Sequence, residues 1–184
     1  MTWLGSYLGW AALYAALPTA AVWVGAAALG RPLRAATLGV LGASLFFLAL
    51  TQHPFPDPDA LTCPVPGTRP LLRPFDSLAR IAEAWRRGGA GGLWSVGPVS
   101  TAANLGLCAV IGLLLSLRTA RWGVAVLLGA GLTALAELSQ LTGLWGLYPC
   151  AYRQFEVDDL IFNAVGVLLG FALGRAAHAA RGGA

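Results

Sequence analysis

The stretch from Ala136 to Arg175, AELSQLTGLWGLYPCAYRQFEVDDLIFNAVGVLLGFALGR, decides the fold. Two strongly apolar runs flank a short polar loop. Glu137, Gln140, Arg153, Asp158, Asp159 and Asn163 lie in or beside those runs. Charged groups inside a bilayer are costly and tend to mark function. Two hydrophobic helices joined by a short loop bring these six side chains to one side of a membrane.

The rest of the chain agrees with a membrane setting. Of its 184 residues, 57% are hydrophobic and 11% charged, against about 25% charged in a soluble domain. Mean hydropathy is +0.69. Such an excess of apolar side chains cannot be covered by a water-facing surface. The expected class is all-α, a polytopic membrane helix bundle forming a single domain over residues 1–184. The net charge of +4 is spread over loops, with no soluble domain to gather it, so no nucleic-acid partner is expected.

Five membrane-spanning helices are expected. Trp3 to Gly30 is long enough to cross with tilt, and Pro18 should bend it or end its first half. A cleaved signal peptide is the rival reading of this run; no basic segment precedes it and it is too long. The other spans are Ala35–Thr51, Pro98–Leu117, Trp122–Gly143 and Asp158–Gly174. Trp94, Trp122 and Trp145 fall near predicted ends, as in an aromatic belt.

A long loop, Gln52 to Gly97, opens with the proline-rich piece HPFPDPDALTCPVPGTRP, which cannot be helical. It continues into a short amphipathic helix over Asp76–Arg87. Phe75, Leu78, Ile81, Ala82 and Trp85 share one face; Arg80, Glu83, Arg86 and Arg87 share the other. Asp76 or Ser77 is a candidate cap, with Gly88-Gly89 as the stop. The helix either lies in the membrane interface, Trp85 down and arginines toward lipid phosphates, or packs on the loop's own fold.

Arg31, Arg34, Arg118, Arg121, Arg175 and Arg181 sit in very short segments beside spans, which favours a cytoplasmic place for those segments. The expected orientation in the plasma membrane is N-terminus outside and C-terminus cytoplasmic. Cys63 and Cys150 then lie outside, where an oxidising compartment permits a disulfide; two free thiols are the alternative. Cys108 lies within the third span. The three cysteines and two histidines make no zinc pattern, and neither a resident metal nor a cofactor is expected.

At 1.5 Å rise per residue, Asn104 and Glu137 lie roughly 9 Å from the ends of their spans, and Asn163 roughly 7–8 Å. Three helices therefore place a polar group at one depth. Gln140 stands one turn from Glu137, and Asp159 one turn from Asn163. Gly166 and Gly170 continue that face and permit close helix approach. Arg153 is the nearest sequence candidate to pair with Glu137. Asp158 or Asp159 can cap its own helix, a role that suits Asp158. Glu156 reads as a solvated loop charge, and Thr133 and Ser139 as helix-packing residues. The pair Glu137 and Asp159 suits acid–base work or a divalent cation held by oxygens; spacing decides neither. No serine or cysteine nucleophile motif is present.

In their order these residues resemble the signature of the VanZ-like family of bacterial membrane proteins. That signature has an acidic residue and a glutamine near a helix end, a loop arginine, an Asp-Asp helix start, an asparagine and glycines. Here these are Glu137, Gln140, Arg153, Asp158-Asp159, Asn163, Gly166 and Gly170. Pro74-Phe75 ahead of a helix with Asn104 resembles the family's preceding block, and the likeness covers about residues 74–175. The proline-glycine pair that often follows the asparagine is not matched: the run is NLGLCAVIG, with Gly112 and no proline.

The resemblance implies a cell-envelope role; the family takes its name from a protein linked to teicoplanin resistance, and it supplies no reaction. Four functions fit the residues. The leading one is an outward-facing polar pocket of Asn104, Glu137, Gln140, Arg153, Asp158, Asp159 and Asn163. It would bind a lipid-linked envelope precursor or a lipoglycopeptide. The second is a membrane-embedded transferase or hydrolase with Glu137 and Asp159 as acid and base. The third, an ion-coupled transporter, is disfavoured by the odd span count and absent inverted repeat. The fourth is a structural subunit whose polar cluster joins helices.

Overall fold

A computed structural model describes residues 2–182 of the chain. It is all-helical among the described residues. In chain order the elements are α1 (Thr2–Ala28), α2 (Ala35–Gln52), a 3-10 turn at Pro58–Ala60 and α3 (Asp76–Gly92). They continue with α4 (Val96–Ser116), α5 (Trp122–Leu141), the four-residue turn α6 (Gly143–Gly146) and α7 (Val157–Gly182). Five of these helices, α1, α2, α4, α5 and α7, are long and apolar enough to cross a membrane.

The bundle is organised on α7, which packs against α4 and α5, while α2 packs on α4 and α5 from the other side and α1 on α2. Glycine makes the central contact possible. A Cβ on Gly170 would stand 1.8 Å from the Ala109 carbonyl oxygen, and one on Gly112 would stand 1.9 Å from that of Val167. Backbones at such distances exclude any side chain, as in other small-residue membrane interfaces. Phe47, Cys108, Ile111, Leu132, Ala136 and Val167 fill the space between α2, α4, α5 and α7.

Several local expectations are corrected. Helix α1 runs through Pro18 without ending. Helix α5 stops at Leu141 rather than Gly143, because Gly143, Leu144 and Trp145 all have positive φ. A Cβ on Gly143 would meet the Cys150 carbonyl oxygen at 2.6 Å, so this turn is held tightly under the loop. Helix α3 breaks at Gly89 (φ 54°, ψ −140°), where a stop was expected, then turns back toward its own body. A Cβ on Gly92 would lie 1.9 Å from the Ala84 carbonyl oxygen.

One end of the bundle carries α3 and both long loops. There Cys63 and Cys150 are joined in a disulfide, with their Cα atoms 6.1 Å apart. A one-residue parallel bridge adds to it: Leu71 N–H donates to Phe155 O (2.9 Å) and Val157 N–H to Leu71 O (3.0 Å). The long loop is thus fixed to the segment that precedes α7.

Candidate functional site

The polar residues at this end form a layer with two centres and a clamp above them. The first centre lies between α4, α5 and α7. The Asn104 amide lies beside the Asp159 carboxylate. Asp159 stands close enough to Glu137 for their charges to repel. Asn163 donates its amide N–H to Thr133 Oγ1 (3.4 Å), and Thr133 donates to the Asp159 carbonyl (3.1 Å). Glu137 accepts the Glu156 backbone N–H at 3.0 Å. Glu137 and Asn163 are each 1% exposed, whereas Asn104 and Asp159 are half-buried. The centre therefore has a buried floor and a more open lip.

The second centre joins α2, α5 and the loop after α6. Gln52 donates to the Ala136 carbonyl (3.0 Å) and accepts from Tyr152 Oη (2.5 Å), while Gln140 donates to the Thr51 carbonyl (3.0 Å). Two glutamines thus exchange bonds across α2 and α5 at the last turn of each. Burial pushes the Tyr152 phenol up to about 12, against a smaller opposing effect of the Arg153 charge. Arg153 donates to the His53 carbonyl at 2.7 Å. The pairing of Arg153 with Glu137 is therefore corrected: the guanidinium turns to the end of α2, and Glu137 is met by a backbone amide. Gln52 and Tyr152 were not singled out in the sequence. A glutamine closing an otherwise uncharged span was the signal for the first.

The clamp is built on Asp158. Its carboxylate accepts the backbone N–H of Phe75 (2.5 Å) and of Ser77 (2.6 Å). These are orphan donors at the start of α3, so the cap comes from a residue more than eighty positions away, and neither Asp76 nor Ser77 caps the helix. Asp158 caps α3 as well as opening α7. Glu156 is not a free loop charge: it pairs with Arg80, which also reaches Asp76 (3.1 Å) and Ser77 Oγ (2.9 Å). Further along α3, Glu83 pairs with Arg86 and Arg87, both at 2.5 Å. The hydrogen bond from Arg87 and the charge of Arg86 hold its carboxyl below the usual range.

The fold-back at Gly89 gives α3 a groove. It has a volume of about 780 Å³ and is lined by Arg80, Glu83, Arg86 and Arg87 with Ala84, Gly92 and Ser95 among its walls. On the opposite side of α3, Leu78 and Trp85 are half exposed, and Trp94 and Val96 beyond it are 82% and 86% exposed. One face of the segment is apolar and unpartnered, the other basic, which is the pattern of a helix lying in a membrane interface. Among the described residues no three His, Cys, Asp or Glu side chains come together to hold a metal.

Five apolar helices, a buried polar layer at one end and an amphipathic helix clamped over it define a polytopic membrane protein with a membrane-embedded polar centre. The chain belongs to the VanZ-like family: the family model described as VanZ/LLP1 matches residues 37–178, which hold every residue of both centres and the clamp. No curated protein and no solved structure shows significant similarity to the chain.

Proposed function

We propose that this protein acts in the bacterial cell envelope as a binding protein for an amphipathic ligand. That ligand is a lipid-linked envelope precursor or a lipoglycopeptide of the teicoplanin type. Its head group is met at the α3 end, which faces out of the cytoplasm, with the N-terminus outside and the C-terminus inside. The disulfide supports that sidedness, because such bonds persist in oxidising compartments. The observation that carries the reading is the arginine-lined groove of about 780 Å³ on a helix whose other face is apolar. An arginine fork is suited to phosphate or carboxylate oxygens, and the exposed Leu78 and Trp85 bring it to head-group depth. Asn104, Glu137, Gln140, Arg153, Asp158, Asp159 and Asn163 support the site from below.

The test is retention of a polyprenyl diphosphate by the purified protein in detergent, followed by native mass spectrometry. Arg86→Gln/Arg87→Gln should weaken retention about tenfold or more, since each charge-assisted bond contributes about 1.5–3 kcal/mol. Equal retention by the folded double variant sinks the reading. A second reading is favoured by the nearness of Glu137 and Asp159: an acid–base or metal-assisted transferase or hydrolase on a lipid-linked substrate. Turnover persisting in Glu137→Gln and Asp159→Asn proteins would dispose of it.

A further inference from the structure

The acidic side chains at the α3 end divide into two groups. Asp158 accepts two backbone amides, and Glu156 and Asp76 each meet Arg80. Glu137 and Asp159 differ. Among the described residues neither has an ion pair: one accepts a backbone amide, the other lies beside a neutral asparagine. Two neighbouring carboxylates in a membrane-embedded centre carry a large desolvation cost unless they take up a proton or a positive charge joins them.

A second observation comes from Asn163. Its side chain is 1% exposed, and its Oδ1 has no hydrogen-bond partner. The orientation of the amide follows from its neighbour. Thr133 gives its hydroxyl proton to the Asp159 carbonyl, so it accepts from the Asn163 nitrogen. Turning the amide over would set an oxygen against an oxygen. The free Oδ1 therefore stays in the α5–α7 interface, one turn from Asp159 on the same face. A buried carbonyl oxygen lacking a donor is rare and calls for an explanation. Two carboxylates and an amide oxygen on neighbouring turns of α5 and α7 are the donors hard cations take, since these bind through carboxylates and amide carbonyls and keep some water.

We infer that Glu137, Asp159 and the Oδ1 of Asn163 form a binding site for one divalent cation of the magnesium or calcium class. The site stands whether or not the groove on α3 binds a head group. It uses no thiol or imidazole: Cys108 is buried nearby, but the site's donors are all oxygen, which disfavours soft metals.

The full-length protein, stripped with EDTA in detergent, is the material for the test. Magnesium, calcium and manganese chlorides are the probes, read by thermal unfolding and by native mass spectrometry. At least one of them should raise the unfolding midpoint saturably and add one ion per chain. Glu137→Gln and Asp159→Asn should each abolish both effects. Both changes keep the side chain's shape and a carbonyl acceptor while removing the carboxylate charge, and far-UV circular dichroism checks that each variant folds. Asn163→Ala should weaken the ion's apparent affinity about tenfold. Two results overturn the site: no divalent ion shifts the wild type, or the shift survives in both carboxylate variants. A wild type insensitive to metal alongside a stabilised Glu137→Gln protein would show that the pair shares a proton instead. Head-group retention through Arg86 and Arg87 is a separate measurement, so either idea can fail alone.

Discussion

Helices α1 and α7 have 27 and 26 residues, and spans of mean hydropathy 1.5 and 1.8, yet they are used in opposite ways. Gly5, Gly9 and Gly25 of α1 have nothing within 4 Å of where a Cβ would stand. Gly166 and Gly170 of α7 lie against the backbone of α4. Beside α1 runs an apolar groove of about 650 Å³, lined by Ala12, Ala16, Thr19, Phe46 and Leu107 among others. Between α4 and α7 there is no room for a methyl group at Gly112 or Gly170. Glycine on a membrane helix thus has no meaning by itself; the meaning comes from the surface opposite. The polar centre sits on the tightly packed side, where backbones are rigid enough to hold it.

The sharpest way to break this contrast is a paired substitution. Gly170→Leu should destabilise the protein by about 3 kcal/mol or more, at the upper end of overpacking costs. Gly9→Ala should change stability by less than about 0.5 kcal/mol, and in the favourable direction, because alanine is the better helix former. Thermal unfolding read with a thiol-reactive dye suits both, since Cys108 is free and buried and reports core exposure. Similar midpoints for the two variants would mean that the α4–α7 contact is not what the bundle rests on.

Next in size is the clamp. Asp158→Ala leaves the amides of Phe75 and Ser77 without their acceptor, which should cost about 2 kcal/mol. The loss should be local: hydrogen exchange should rise over α3 and leave α4 and α7 protected. Uniform loosening would show instead that α3 and the core unfold together. The smallest effect belongs to Glu83. Its carboxyl lies below its ordinary value of 4.5, so the stability it lends α3 is complete above that value. It is lost as the pH falls through the lower folded one. Exchange over α3 should therefore rise on acidification, and Glu83→Gln should remove the acid-dependent part. Identical profiles in both proteins would leave the Glu83 pairs without a role.

The five spans were legible because strongly apolar runs of that length have few other uses. That α4, α5 and α7 each carry polar groups toward one end was legible too; the level of Asn163 was not, since it bonds to Thr133, one turn from Glu137. The partners of Asp158, Glu156 and Arg153 were not. They depend on the course of the long loop, which follows from a disulfide and the Leu71 bridge rather than from any periodicity. Asp158 illustrates the difficulty: a carboxylate at a helix start predicts local capping, whereas here it serves a helix far upstream. Gln52 was hidden by its position, one residue past the expected end of its span.

The Cys63–Cys150 bond also orders the making of the protein. One thiol emerges with the segment after α2, the other only after α5 has been threaded through the bilayer. The crosslink can close only when four spans have been made, so the long loop gains this anchor late in synthesis, shortly before the Leu71 bridge and the Asp158 clamp become possible. Until then the nascent chain carries its proline-rich arm without that anchor.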